Sequence, residues 1–155
     1  MRIGWGFDAH RFGAAGPMRL GGVVVAANRG LIGTSDGDVA LHAVADAILG
    51  AAALGDLGSH FPSSDPQWQG ADSADLLSRV VAMANGEGLT VDSIDVTIIA
   101  QTVRVSPHRD AMRERLSRLL SAPFDHISVK ATTTDGMGFL GKDEGIAAVA
   151  VVVLW

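Results

Sequence analysis

Runs of apolar residues separated by short polar turns divide the chain into predicted strands and helices. Five stretches have the length and apolar content of strands. They are Arg2 to Asp8, Met18 to Val25, Ile94 to Gln101, Ile127 to Thr134 and Gly145 to Leu154. Within the second stretch, the pair Gly21-Gly22 predicts a bulge or a close backbone approach.

Three segments carry the apolar stripe of an amphipathic helix. The first runs from Val39 to Leu49 and follows Ser35-Asp36-Gly37-Asp38, whose short polar side chains can cap free N–H groups. A polar loop from Phe61 to Gly70 separates it from the second helix, at about Asp72 to Asn85. The third opens at Ser106-Pro107, with proline at a tolerated first position. Helices interleaved with strands predict an α+β fold, a two-layer α/β sandwich with a mixed sheet.

Composition narrows the class of protein. The 155 residues are 48% hydrophobic and 19% charged, which predicts a single domain over residues 1–155. The net charge of −5 argues against a nucleic-acid partner, and the lack of cysteine excludes disulfides and thiolate metal sites. The longest apolar run, Ile146 to Trp155, is shorter than the roughly 20 residues of a membrane span. With no apolar signal region at the N-terminus, a cytoplasmic protein without a membrane partner is predicted.

Two histidines and a carboxylate form the first candidate cluster. Asp8 and His10 lie two residues apart at the predicted end of the first strand, so their side chains point the same way. His42 lies in the first helix, where Asp38 and Asp46 are four residues to either side. Asp46 can accept a hydrogen bond from the free ring nitrogen of His42. The set describes a catalytic zinc site, although the spacing alone also allows a surface His10 and a merely hydrogen-bonded His42.

A second cluster follows the fourth predicted strand. Thr132-Thr133-Thr134 runs into Asp135-Gly136, and hydroxyls with free backbone N–H groups can bind phosphate oxygens. The acid can hold Mg²⁺ or Mn²⁺, although the same residues also describe an ordinary turn after a threonine-rich strand. Arg104 lies between a strand end and a helix start, where loops often bind ligands, although taken singly it fits an ordinary exposed arginine better.

Seven motifs extend these clusters along the whole chain in one order and spacing. They are Arg2-Ile3-Gly4-x-Gly6-Phe7-Asp8-x-His10, Ser35-Asp36-Gly37-Asp38-Val39-x-x-His42, Gly55-Asp56-Leu57-Gly58, Phe61-Pro62-x-x-Asp65-Pro66, Asp95-Val96-Thr97-Ile98-Ile99-Ala100-Gln101, Val129-Lys130-Ala131-Thr132-Thr133-Thr134 and Gly141-x-x-Glu144-Gly145-Ile146-Ala147. Together they resemble the 2-C-methyl-D-erythritol 2,4-cyclodiphosphate synthase family.

This resemblance implies a homotrimer with active sites between neighbouring subunits. It implies that Asp8, His10 and His42 bind Zn²⁺ and that Asp135 holds Mg²⁺ or Mn²⁺. The implied substrate is 4-diphosphocytidyl-2-C-methyl-D-erythritol 2-phosphate, whose 2-phosphate attacks the β-phosphorus. The cyclic diphosphate closes and CMP leaves, which is the reaction of a phosphorus–oxygen lyase of the non-mevalonate isoprenoid pathway.

The resemblance also assigns residues to the substrate. Catalytic roles fall to Thr34, Ser35 and Thr133. The methylerythritol part is assigned to Asp56, Leu57, Gly58 and the Phe61–Asp65 loop, and the cytidine and its phosphates to Ala100–Ser106 and Ala131–Thr133. The substrate-binding residues by number are Asp8, His10, Thr34, Ser35, Asp56, Leu57, Gly58, Phe61, Ser64, Asp65, Ala100, Val103, Arg104, Val105, Ser106, Ala131, Thr132, Thr133, Asp135, Phe139 and Lys142.

Some positions depart from the family pattern. Thr34 stands where a histidine is usual, and a threonine donates a neutral hydrogen bond but carries no charge. Asp135 replaces a more common glutamate, and Arg104 a more common lysine. Lys142 and Val149 replace an arginine and a glutamate of the trimer cavity in some members, so no isoprenoid diphosphate is expected there.

Two other functions fit parts of the pattern. Two histidines and a carboxylate also form the facial triad of non-haem Fe(II) oxygenases, which commonly sits in all-β barrels. The second alternative is a homologue that binds metal and nucleotide with reduced or lost activity. It is suggested by Thr34, which stands in place of the usual histidine.

Overall fold

The strands form a mixed four-stranded sheet and a separate hairpin in this computed structural model, which describes residues 1–13 and 15–155. The sheet order is β1-β6-β4-β5, with β1 at Arg2–Arg11, β4 at Val91–Ile99, β5 at Ile127–Thr132 and β6 at Gly145–Leu154. Strand β6 runs antiparallel to β1 and β4, and β5 runs parallel to β4. The predicted mixed sheet is confirmed, and the carboxyl ends of β1, β4 and β5 share one edge.

The hairpin replaces the single strand predicted from Met18 to Val25, and that prediction is wrong. Strand β2 covers Met18–Leu20 and β3 covers Val23–Ala26. Gly21 and Gly22 form the turn between them, with φ values of 59° and 75°. Two consecutive residues with positive φ make the tight turn that joins adjacent antiparallel strands.

The helices form the second layer, as predicted for a two-layer sandwich. They are α1 at Val39–Ala52, α2 at Leu57–His60, α3 at Ser73–Gly86, α4 at Arg109–Leu120 and α5 at Gly138–Gly141, with 3-10 turns at Pro66–Trp68, Ser106–His108 and Phe124–His126. Helix α1 packs on β1 and β6, and α3 packs on α1. The one-turn helices α2 and α5 were not predicted. Within the described residues, no helix combines the length and apolar character needed to cross a membrane.

Helix α1 lies in direct backbone contact with β1. Gly4 and Gly6 face the helix, and a Cβ atom on either would overlap it, at 1.8 Å from the Ala47 carbonyl oxygen and 2.1 Å from the Ala43 carbonyl oxygen. Only glycine allows a strand to approach a helix so closely. The spacing between the two elements is therefore set by their backbones.

The start of α1 is fixed by a fully buried carboxylate. Asp38 accepts hydrogen bonds from the backbone N–H groups of Ala40 and Leu41, both at 3.1 Å, and so caps the helix. It also accepts from the hairpin turn, from Gly21 at 2.9 Å and Gly22 at 2.7 Å. Burial raises the pKa of Asp38, and these N–H groups oppose that rise. The turn and the helix are thereby joined through one side chain.

The face of β1 that points away from α1 is apolar and exposed. Ile3, Trp5 and Phe7 alternate with the glycines and expose 63%, 64% and 44% of their surface. The rings of Trp5 and Phe7 stack with centroids 6.3 Å apart. Val151, the β6 residue opposite Trp5, is exposed on the same sheet. We call these four residues the outer sheet face.

Candidate active site

Asp8, His10 and His42 meet between β1 and α1. The Asp8 Oδ2 atom lies 3.0 Å from His10 Nε2 and 2.8 Å from His42 Nδ1. The two ring nitrogens are 3.4 Å apart, and one ligand atom from each residue falls within 4.8 Å of the others. Strand β1 continues to Arg11, so the pair lies inside the strand rather than at its end. Because strand residues alternate, both side chains point to the α1 face, as predicted.

Hydrogen bonds on the far side of each ring orient the two nitrogens that converge on Asp8. The Nδ1 atom of His10 lies 2.7 Å from the Ile32 carbonyl oxygen, which can only accept, so Nδ1 carries the proton. The Nε2 atom of His42 lies 2.9 Å from Ser73 Oγ and 3.0 Å from Ser35 Oγ. Partners of this kind fix the orientation and tautomer of ligand histidines. The donor set therefore fits a divalent metal ion bound by two imidazoles and one carboxylate.

The residues that orient His42 differ from the predicted one. Ser73 Oγ donates to Asp36 Oδ1, so its lone pair is left to accept from His42 Nε2. The predicted hydrogen bond between His42 and Asp46 is wrong, because Nδ1 of His42 faces Asp8, Nε2 faces the two serines, and Asp46 Oδ1 accepts from the Leu57 backbone N–H at 2.7 Å. Ser73 was missed as a partner of His42, because only the packing of α3 on α1 brings it to the ring.

The charges of the cluster suit a cation. Burial alone would raise the pKa of Asp8, but hydrogen bonds from His10 and His42 and their positive charges lower it well below its usual range. The hydrogen bond to Asp8 raises the pKa of His10, against the opposing effect of burial. The carboxylate is therefore ionised, and a metal ion would compete with a proton for the His10 ring.

A cavity of about 200 Å³ opens beside the two histidines. Five of the residues predicted for substrate or catalysis, besides His10, line it: Thr34, Ser35, Leu57, Gly58 and Phe61. Ser63, from the predicted Phe61–Asp65 loop, also lines it. Trp68 and Leu76 line it without having been assigned to the substrate, and the Trp68 ring meets the Phe61 ring edge-on at 4.9 Å. Ser64 is exposed outside the lining, Asp65 caps the 3-10 turn at Pro66, and Asp56 caps α2.

A second cavity of about 480 Å³ lies where β4 and β5 end. Its lining consists of the two segments predicted to hold the cytidine and its phosphates: Ala100, Gln101, Thr102, Val103, Arg104, Val105, Ser106, Ala131, Thr132 and Thr133. Its volume is in the range of small-molecule sites, roughly 300–1,000 Å³. None of the described residues lines both this cavity and the one beside the histidines.

The acidic turn follows β5 directly. The strand ends at Thr132, two residues earlier than predicted, and Asp135 takes a positive φ of 52°. The Asp135 backbone N–H donates to Thr133 Oγ1 at 3.2 Å, and its exposed carboxylate accepts from the same hydroxyl at 3.3 Å. Phe139 lines a third cavity of about 210 Å³ together with His10, and Lys142 is exposed. Metal binding by Asp135 stays a prediction.

Comparison with known proteins agrees with this geometry over the full chain. A model of the YgbB family matches residues 1–155. The 2-C-methyl-D-erythritol 2,4-cyclodiphosphate synthase of Salinibacter ruber is 53% identical over 154 residues, which is 99% of this chain and 98% of that protein.

Two solved structures share the fold. The bifunctional IspDF of Campylobacter jejuni is 38% identical with a TM-score of 0.96, and the match spans 99% of this chain but 42% of that one. A 2C-methyl-D-erythritol-2,4-cyclodiphosphate synthase in a CDP-bound form is 34% identical with a TM-score of 0.90, over 99% and 100% of the two chains. With the match running from end to end in sequence and in fold, the chain belongs to the YgbB family.

Proposed function

We propose that this chain cyclises 4-diphosphocytidyl-2-C-methyl-D-erythritol 2-phosphate to 2-C-methyl-D-erythritol 2,4-cyclodiphosphate with release of CMP. The observation that carries the proposal is the cluster of Asp8, His10 and His42, whose possible ligand atoms converge beside a cavity. Relatives named 2-C-methyl-D-erythritol 2,4-cyclodiphosphate synthase match this chain over nearly its whole length, and one solved relative carries CDP. The enzyme would be a metal-dependent phosphorus–oxygen lyase, and its cytoplasmic location stays a prediction.

The reaction needs no nucleophile from the protein. An oxygen of the 2-phosphate forms a new bond to the β-phosphorus, and the bond from that phosphorus to the bridging oxygen of CMP breaks. CMP leaves with the electron pair, so charge and atoms balance without a covalent enzyme intermediate. Phosphoryl transfer depends mainly on positioning and on neutralising charge. Because the attacking group is part of the substrate, holding it folded back supplies a large effective molarity.

The cations and the hydroxyl groups have separate tasks in this proposal. Zn²⁺ held by Asp8, His10 and His42, with Mg²⁺ or Mn²⁺ held by Asp135, would offset the negative charge of the phosphates. The Thr133 hydroxyl would donate to a phosphate oxygen from the end of β5. Ser35 and Thr34 line the cavity beside His42, where their hydroxyls would contact the substrate on its other side.

The cytidine half is assigned to the 480 Å³ cavity. Arg104 is exposed at its wall and would pair with a phosphate, while Val105 is buried beneath the loop. The methylerythritol half is assigned to the 200 Å³ cavity beside the metal cluster. Within the described residues the two linings are distinct, which supports an active site completed by a neighbouring subunit.

A homotrimer is proposed because the outer sheet face is unusually apolar for a free surface. Contiguous exposed apolar residues commonly mark a protein–protein interface.

We expect a native mass three times the 16.0 kDa of the chain. Phe7→Glu should shift the protein towards monomer in sedimentation velocity. The matched control is Phe124→Glu, on an aromatic with similar exposure, 40% against 44%, next to α4. A monomeric wild-type protein would contradict the proposal.

Zinc affinity should depend on pH through His10. Its pKa is raised from 6.5 by Asp8, so below that raised pKa the proton and the metal compete for the ring. We expect affinity to fall about tenfold for each pH unit below the raised pKa and to level off above it. Chelator competition from acid to alkaline pH measures this, with the distant His126→Asn variant as control. A flat profile would mean that His10 does not bind the metal.

Thr34 tests the departure from the family pattern. We expect Thr34→His to raise kcat about ten- to hundredfold, because an imidazole can carry charge or a proton and a threonine cannot. Thr34 lines the cavity beside His42, so the new ring would face the substrate. Thr34→Ser serves as the control that keeps a hydroxyl. An unchanged kcat would mean that Ser35, Thr34 and the metal ions suffice for the transition state.

Metal-dependent release of CMP tests the proposed function itself. The chelator-treated protein should release no CMP from the substrate, and Zn²⁺ with Mg²⁺ or Mn²⁺ should restore release as measured by chromatography. Activity restored by Fe²⁺ and O₂ alone would favour the facial-triad alternative, for which the mixed α+β fold offers no support. Metal binding without CMP release would favour the inactive homologue.

A further inference from the structure

Three side chains meet beside the 480 Å³ cavity, and of these only Thr102 belongs to a segment assigned to the nucleotide. Arg29 Nη2 donates to Asp143 Oδ2 at 2.8 Å, and Arg29 Nη1 donates to Thr102 Oγ1 at 3.1 Å. Thr102 Oγ1 in turn donates to Asp143 Oδ1 at 2.9 Å. We call Arg29, Asp143 and Thr102 the Arg29 clamp. It joins the segment after β3, the loop before β6 and the loop after β4.

The guanidinium group of Arg29 is contacted on its flat face as well as through its N–H groups. Its guanidinium carbon lies 3.5 Å from the centroid of the Phe12 ring, and Nη2 also reaches the Asp143 carbonyl oxygen at 3.4 Å. Phe12 is itself fixed by a bridge to Leu31 and by its N–H, which donates to the Glu144 carbonyl at 3.1 Å. Cation–π contact adds to the ion pair, so the clamp is firmer than an isolated surface pair.

Asp143 shows that the clamp holds an unfavourable backbone conformation. Its φ is 58°, in the left-handed region that residues other than glycine seldom occupy. Its carboxylate binds both clamp partners, and its backbone N–H donates to the Leu140 carbonyl at 3.0 Å. A residue keeps such a conformation only where the surrounding contacts hold it.

Thr102 ties the cavity wall to the rest of the fold. The last backbone hydrogen bond at the end of β4 joins Ala100 N–H to the Thr132 carbonyl, and the next along the chain joins His108 N–H to the Val105 carbonyl. In the described chain, no backbone N–H of residues 101–104 donates a hydrogen bond. The Thr102 hydroxyl is therefore the polar contact that fixes this loop.

We propose that the Arg29 clamp is a positioning element that sets the affinity of the 480 Å³ cavity for a cytidine nucleotide. It holds the loop of residues 101–106 in its binding shape before the nucleotide arrives, so less ordering is needed on binding. The inference rests on the proposed function for the identity of the ligand. Clamp residues act through the loop, and none of them needs to touch the reacting phosphates.

Thr102→Val is the central test because it removes the hydroxyl and nearly keeps the shape. We expect the dissociation constants of CMP and CDP, measured by calorimetry, to rise about three- to tenfold. KM for the substrate should rise similarly, while zinc affinity should stay within about twofold of the wild type, because Thr102 lies outside the Asp8, His10 and His42 cluster. The matched control is Thr90→Val, an exposed threonine whose hydroxyl makes no hydrogen bond within the described residues.

Arg29 variants provide the second arm. Arg29→Gln should weaken CMP binding as Thr102→Val does, and the double variant should be no weaker than the worse single one, because both break one clamp. Arg29→Lys should rescue part of the loss, since it keeps the charge but not the fork. Folded single variants with wild-type CMP affinity would overturn the proposal, as would full additivity in the double variant.

Backbone NMR relaxation separates failure of the clamp from failure of the proposed function. Without nucleotide, the ¹⁵N order parameters of residues 101–105 should be lower in Thr102→Val than in the wild type or in Thr90→Val. Lower order parameters with a wild-type protein that binds neither CMP nor CDP would overturn the proposed function and the nucleotide role of the clamp. Unchanged order parameters would overturn the clamp whatever the protein binds.

Discussion

Asp8→Asn should lower zinc affinity by at least about a hundredfold. Losing a residue that only hydrogen-bonds to a metal ligand costs about 10- to 100-fold, and Asp8 is proposed as a ligand itself. The carboxylate lies within 3.0 Å of both ring nitrogens that face the metal position, and the charge it brings is lost on amidation. CMP release should fall by a similar factor or more. Chelator competition and steady-state kinetics measure the two effects.

The same substitution has a readout that needs no metal. A hydrogen bond to Asp8 is the largest cause of the raised pKa of His10, so in metal-free Asp8→Asn that pKa should fall, as followed by NMR titration. Asp125→Asn is the matched control, because its exposed carboxylate makes no hydrogen bond in the described part of the chain. If Asp8→Asn binds zinc as tightly as the wild type, Asp8 does not bind the metal.

Gly6→Ala should destabilise the protein by about 3 kcal/mol, the upper part of the range for overpacking. The added Cβ would lie 2.1 Å from the Ala43 carbonyl oxygen and 2.7 Å from the Ala47 backbone nitrogen, so helix α1 has to move away. His42 moves with α1 while Asp8 and His10 stay on β1. Zinc affinity should therefore fall together with the melting temperature.

Gly50→Ala is the control, because Gly50 lies in helix α1, the helix that Gly6 contacts. A Cβ atom there meets no atom within 4 Å, and alanine is a better helix former than glycine. We expect a gain of up to about 1 kcal/mol and unchanged zinc affinity. A Gly6→Ala protein as stable as the wild type, with full zinc affinity, would show that backbone contact does not set the spacing of the two elements.

The regular elements were predicted where local signals agreed. Helix α1 follows a capping aspartate, Asp38, and carries a long apolar stripe, and the structure begins it at Val39. At Gly21-Gly22 a bulge inside one strand is the wrong prediction, because the two glycines form the turn between β2 and β3. Two glycines between short apolar runs are also the signature of a two-residue turn, so that signal was present in the sequence.

The meeting of Asp8, His10 and His42 was predicted because it depends on strand alternation and one helix, whereas the hydrogen bonds around these residues depend on distant segments. Asp46 was the natural partner for His42 by helix spacing alone. The ring instead meets Ser73, which is 31 positions away along the chain and arrives with α3. Likewise, nothing local links Arg29 to Asp143, which lies 114 positions further on.

Product identification by ³¹P NMR tests the central claim most directly. The protein is incubated with 4-diphosphocytidyl-2-C-methyl-D-erythritol 2-phosphate, Zn²⁺ and Mg²⁺ or Mn²⁺, and the spectrum is followed to completion. We predict loss of the substrate signals and the appearance of CMP together with two coupled phosphorus signals of the cyclic diphosphate. An unchanged spectrum from folded, metal-loaded wild-type protein would contradict the proposed function.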